Sequence, residues 1–396
     1  MYLTQEEEEM LEGEHGIVTQ KSMEILVTLG EVFGAKKLER VTSTHISGIS
    51  YKNIGTHGLS FLEEWANNGA ITRVPSTINP AGMDIEQWSS LGVDQTFAEK
   101  QIRIVNAFKK MSTQKSLTCT PYLIGNTPRM GEHMAWAESS AVAFSNSVLG
   151  ARTNREGGPT ALASAITGRT PVFGYHLTEQ RAPTHEIHVN TRINGVLEYS
   201  TLGYYVGKSL GTCVPLFQGI QAPSLEEMKA LSAGLAASGA IALFHIQNVT
   251  PEANQAAENQ MERVNVDKKS LNNTVENLST EEEYEHICIG CPHCSIKEIA
   301  EIARKIAGKK VKRKLWIFTA RIISEEAKRR GYLSIIERAG GKIVSDTCMV
   351  VAPMREMGLR GMVVNSCKAA HYVPNTCQIP ITMKSLDDCL AIALGR

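Results

Sequence analysis

Neither sign of charge prevails in this sequence: Lys plus Arg and Asp plus Glu number 41 each among 396 residues. A balanced chain has no global field to draw nucleic acid or an anionic membrane, so an anionic ligand must be met by a local arrangement. Long apolar runs are missing as well. The longest uncharged stretch, Leu231 to Val249, is rich in Ala, Gly and Ser and holds His245 and Gln247; this suits a buried helix running into a strand better than a membrane span. The opening segment MYLTQEEEEMLEGEHG is acidic and lacks the basic-then-apolar order of a secretory or transit peptide, which points to the cytoplasm. Its Thr4 and Glu7 form a capping box for a short helix that Gly13 or Gly16 ends. Glycine-rich phosphate loops of either nucleotide-binding type are absent, so nucleotide chemistry has no motif to rest on.

Against these absences stand nine cysteines: Cys119, Cys213, Cys288, Cys291, Cys294, Cys348, Cys367, Cys377 and Cys389. In a reducing compartment they argue against a disulfide framework, and their uneven clustering favours a metal or cluster site. Three fall within EHICIGCPHCSIKE, residues 285 to 298. Ser295 and Glu298 form a second capping box, and Ile296, Ile299, Ile302 and Ile306 give the apolar face of the helix that it opens. The cysteines therefore precede a helix N-terminus, where free amides and the dipole favour thiolates and anions.

Zinc would want four ligands, and no second Cys-x2-Cys pair, nor a His pair at the three-to-five-residue spacing of a zinc site, exists. Ferredoxin spacing fails too, because Cys348 is the next cysteine after Cys294. A third geometry remains, in which one of these cysteines joins two from strand ends to hold three irons and leaves a fourth open to a substrate hydroxyl. The competing reading is that cysteines are small buried hydrophobes, and for Cys213, Cys377 and Cys389 it is preferred.

Segments of β-branched character alternate with capped helices, the pattern of α/β domains on largely parallel sheets. Ser224 to Glu227 cap a helix through about Ala237, followed by a buried strand from Ala240 to His245. Lys314 to Thr319, Lys342 to Asp346 and Met362 to Asn365 read as further strands, with Cys348 and Cys367 just past two of their ends. Lys115 to Cys119 reads as another short strand. Ligands of open parallel sheets bind at such carboxyl ends. Residues 251–283 are polar and weakly periodic, and read as a linker or surface excursion between an N-terminal α/β part (1–250) and a C-terminal one (284–396).

Other polar clusters interrupt this framework. Cys119 to His133 is crowded with turn formers and suits a loop lining a site. Trp136 to Gly150 reads as a close-packed helix in which Glu138, Ser139 and Asn146 need partners or a ligand. Arg152, Asn154 and Arg155, beside a glycine pair, can grip a carboxylate or phosphate; structural ion pairing is an equal alternative for the arginines. Ser50 and Asn53 sit in a hydroxyl-rich and glycine-rich segment after a strand, and Lys368 and His371 offer late groups near Cys367.

The stretches HISGISYKNIG, CTPYLIGNTP, WAESSAVAFSNSVLGARTNREGGP, GCPH, SDTCMVVAP and NSCKAAHY, in this order, resemble the large subunit of the aconitase X family, especially its archaeal branch. The resemblance implies an aconitase-like fold, with several α/β domains and largely parallel sheets around a central iron-sulfur cleft. It implies a hydro-lyase carrying an iron-sulfur cluster, 4Fe-4S, on Cys119, Cys291 and Cys348. The implied reaction is loss of water from (R)-5-phosphomevalonate to give trans-anhydromevalonate 5-phosphate, a step of an archaeal-type mevalonate (isoprenoid) route. Dehydration of another hydroxy acid, such as cis-3-hydroxy-L-proline, is the alternative within the family, and a non-catalytic metal-binding protein the alternative outside it. The resemblance also implies a small subunit that carries a swivelling domain with the catalytic serine. Glu138, His293 and Lys368 are the candidate catalytic groups, and Ser50, Asn53, Arg152, Asn154 and Arg155 the candidate substrate-binding groups.

Overall fold

The computed structural model describes residues 1–255, 261–280 and 284–396. Three parallel sheets organise them. In the first, Thr44–Ile46 lies between Ser76–Ile78 and Ala135–Trp136. In the second, the order is His245–Ile246, Pro215–Gln218, His185–Val189, Glu262–Val266. In the third, it is Lys342–Ser345, Lys314–Thr319, His286–Ile289, Met362–Val364, Ile381–Met383. The central strands His286–Ile289 and Thr44–Ile46 are buried at every position, as strands covered on both faces must be, and so is the edge strand Ser76–Ile78. A small antiparallel pair, Leu38–Arg40 with Arg169–Pro171, completes the strand pairing of the first part.

Two sheets share a topological feature that fixes the site. From the central strand Thr44–Ile46 the chain builds one neighbour on each side, and from His286–Ile289 it builds two on one side before crossing to the other. Connections leaving a strand in opposite directions open a crevice at its carboxyl end. The turn at that end of His286–Ile289 needs glycine: Gly290 has φ +111°, and a Cβ there would lie 2.2 Å from the Phe318 carbonyl oxygen.

The helix Leu225–Gly239, capped by the Ser224/Glu227 box, packs on Gly195–Leu210 through glycines; a Cβ on Gly203 would stand 2.5 Å from the Leu231 carbonyl oxygen. This close approach sets the helix that carries Lys229 toward the third sheet.

Four local expectations are corrected. Within 251–283, Glu262–Val266 is an edge strand and Lys268–Leu278 a helix capped by Asp267; residues 256–260 and 281–283 of that stretch lie outside the described residues. The strand is mostly exposed and the helix fully buries only Leu271, so neither shows a strong apolar period. Lys115 to Cys119 makes no ladder: the Ser116 hydroxyl accepts from the Ile78 amide at 2.7 Å, where a strand would offer a carbonyl. Residues 240–244 are irregular, and the strand begins at His245. The helix expected from Trp136 starts at Ser139, because Ala135–Trp136 is a strand.

Candidate functional site

A cavity of about 190 Å³ lies where carboxyl ends of the first and third sheets meet. Its wall reads as a sequence of strand ends: Ser47, Asn79 with Pro80, and Ala137 to Ser139 from the first sheet, and Cys291, Cys348 and Lys368 from the third. Cys119, Asn53, Arg155 and Tyr372 complete the part that concerns chemistry. Cys119, Cys291 and Cys348 thus come together from positions far apart in the chain, each at most 6% exposed. Burial pushes each thiol up to about 12, with Lys368 drawing them partly back, so the protons leave when a cation takes their place. Among the described residues, no three His, Cys, Asp or Glu side chains are gathered tightly enough to ligate one metal ion.

Glu138 and Lys368 form a buried ion pair in the wall. Glu138 caps the helix Ser139–Val148, and its Oε2 accepts from the Asn79 amide at 2.8 Å while Oε1 accepts from Ser140 Oγ at 3.0 Å. Burial alone would raise its pKa; the Lys368 charge, with hydrogen bonds from Lys368 and Asn79, outweighs burial and holds the carboxyl at about 2. Burial pulls the Lys368 ammonium down, and Glu138 more than restores it. Both groups stay charged at neutral pH. Behind them, His45 bonds Asn79 Oδ1 through Nε2 at 2.9 Å and Thr77 Oγ1 through Nδ1 at 2.8 Å. Burial lowers its pKa to about 4, so it is neutral.

The other candidates divide. Arg155 is exposed at the cavity and forms no ion pair among the described residues, and Asn53 is also exposed there in the first turn of Tyr51–Asn67. Arg152 lies elsewhere: its Nη1 donates to the His176 carbonyl at 2.9 Å and its Nη2 approaches Glu252. Asn154 is spent on Phe173 and Tyr175 backbone groups. Ser50 donates to the Val351 carbonyl at 2.8 Å, tying the two parts together without facing the cavity. Asn146 bonds the carbonyls of Thr153 and Ala242, and His371 bonds the Tyr204 hydroxyl. Alternating backbone direction explains the arginine outcome, since neighbouring residues in an extended segment face opposite ways.

His293 is not at the cavity wall. It is fully buried, and Nε2 donates to the Thr347 carbonyl at 2.8 Å, which leaves Nδ1 to accept from Thr118 Oγ1 at 3.0 Å. Burial lowers its pKa to about 4. Asn79 and Tyr372 were missed by sequence reading. Asn79 follows a strand directly and precedes a proline, and Tyr372 stands one helical turn beyond Lys368; both signals were present.

Sequence models of the aconitase X first, second and third domains match residues 1–179, 183–276 and 284–395. The chain belongs to the aconitase X family. A crystal structure of Thermococcus kodakaraensis aconitase X in its holo-form superposes with a TM-score of 0.94 at 41% identity, spanning 99% of this chain and 100% of that one. The phosphomevalonate dehydratase large subunit of Methanocaldococcus jannaschii is 47% identical over 400 residues, 98% of this chain and 99% of the relative. A cis-3-hydroxy-L-proline dehydratase of Pseudomonas aeruginosa is 33% identical across 98% of this aconitase X chain but only 69% of its own length. No helix among the described residues is long and apolar enough to cross a membrane.

Proposed function

We infer that this chain is the large subunit of a phosphomevalonate dehydratase, a hydro-lyase that removes water from (R)-5-phosphomevalonate to give trans-anhydromevalonate 5-phosphate. The near full-length likeness to the archaeal large subunit supports the substrate. The observation that carries the site assignment is the convergence of Cys119, Cys291 and Cys348 on one cavity.

The donor set fits an iron-sulfur cluster better than a lone ion. Thiolates are the preferred ligands of such clusters, and these three share a wall without forming a single-ion ligand set. A cluster held by three cysteines supplies Lewis acidity toward a departing hydroxyl. Arg155 and Asn53 are placed to hold an anionic end of the substrate, the guanidinium pairing with carboxylate or phosphate in bidentate fashion. Lys368, kept protonated by Glu138, offers a second cation and a hydrogen-bond donor deeper in the wall.

Neither member of that pair can take the proton beside the substrate carboxylate. Both oxygens of Glu138 are engaged by Lys368, Ser140 and Asn79, and among the described residues no histidine lines the cavity. For the base we look to the small subunit, to which the family resemblance assigns a serine. Anaerobic co-purification with that partner, followed by parallel assays of water loss from phosphomevalonate and from cis-3-hydroxy-L-proline, tests the reading. Turnover of phosphomevalonate alone supports it, and turnover of hydroxyproline alone overturns the substrate.

A further inference from the structure

The motif Gly-Cys-Pro-His places His293 two residues beyond Cys291, and its ring reaches the residues immediately before the other two cavity cysteines. Thr118, whose hydroxyl donates to Nδ1, precedes Cys119; Thr347, whose carbonyl accepts from Nε2, precedes Cys348. The His293 backbone amide also donates to Cys119 Sγ at 3.3 Å. From the helix Leu225–Gly239, Lys229 donates to the His293 carbonyl at 3.0 Å while paired with Glu298. One imidazole thus joins three loops that lie far apart in the chain, and neither ring nitrogen is left to face the cavity.

We propose that His293 is a positioning residue that clamps the loops of Cys119, Cys291 and Cys348 in the spacing a cluster requires. The inference rests on the cluster reading above and adds a specific residue to it. Thiols on loops from separate sheets need a fixed mutual spacing to bind several irons at once, and groups just behind the ligands commonly set both that spacing and metal retention. Thr118 serves the same clamp from the other side, since its oxygen also accepts from the Thr120 amide at 3.2 Å and meets the Thr120 hydroxyl at 3.1 Å.

The test compares wild type, His293→Gln and Thr118→Val, each purified anaerobically with the small subunit. Iron captured by the chelator ferrozine is timed by absorbance, and thermal unfolding of the metal-free chain is followed by circular dichroism. His293→Gln keeps a donor that can reach Thr347 but puts a carbon where Nδ1 met Thr118, its acceptor oxygen lying one bond further out; Thr118→Val removes one hydroxyl with little change of shape. Both are expected to release iron about tenfold faster, while the metal-free chain still unfolds in one transition, at a melting temperature lowered only as far as about 1–3 kcal/mol for a buried unpaired group implies. Should His293→Gln not fold, Thr118→Val decides the matter. Release as slow as wild type from a folded variant overturns the clamp and leaves the cluster reading standing, whereas a wild type that binds no iron overturns both.

Discussion

Glu138 and Lys368, 230 residues apart in sequence, pair directly from the carboxyl ends of strands in two different sheets. The pair stitches the first and third sheets together at the cavity wall. Removing one partner leaves a buried charge without compensation, at about 3–5 kcal/mol. Lys368→Met is therefore expected to be strongly destabilising in denaturant titration, and the double variant Glu138→Gln/Lys368→Met to regain most of the loss.

The same pair sets a pH window. The Glu138 carboxyl sits at about 2 against an ordinary 4.5. A depressed folded-state pKa gives stability that is complete above the ordinary value and is lost as pH falls toward the folded one. Metal-free wild type is expected to lose this contribution between about pH 4.5 and 2. Lys368→Met is expected to reverse the sign, because burial alone raises the carboxyl pKa. Stability measured against pH in both proteins checks the contrast.

Arg155 and Arg152 make a second contrast, three residues apart. On the proposed role, Arg155→Gln removes a charged contact to substrate worth about 1.5–3 kcal/mol, so KM for phosphomevalonate should rise about 10–100-fold with little change in melting temperature. Arg152→Gln breaks its bond to the His176 carbonyl and should lower stability by about 1–3 kcal/mol while leaving KM unchanged. Steady-state kinetics and thermal unfolding on both variants separate the roles.

Gly290 carries the turn into Cys291. Gly290→Ala meets both the left-handed backbone and the Phe318 carbonyl, and a cost of about 3 kcal/mol or more is expected. Loss of iron binding should accompany it, measured as iron per chain beside the unfolding midpoint.

Much of this was legible in the sequence because the site follows a rule of parallel sheets. Cys348 and Lys368 were visible as groups just past β-branched runs, and the Ser295/Glu298 box marked the helix after Cys291. The exposed edge strand Glu262–Val266 was invisible because it buries only one residue and so shows no period. Arg152 and Arg155 could not be told apart, since the direction of each side chain depends on backbone pairing with Glu132 and Trp136. His293 entered as a candidate catalytic group with the family resemblance; its partners, Thr118 and Thr347, are brought to it only by the fold. Asn79 was overlooked although it stands where a strand ends before proline.

The central claim is that three cysteines from separate loops hold one iron-sulfur cluster in the cavity between the sheets. Iron and sulfide per complex, measured after anaerobic reconstitution of wild type and of Cys119→Ser, Cys291→Ser, Cys348→Ser and the control Cys213→Ser, test it most directly. Wild type and the control should retain the cluster and its visible absorbance, and each of the other three should lose most of it. Full retention in any of Cys119→Ser, Cys291→Ser or Cys348→Ser contradicts the account.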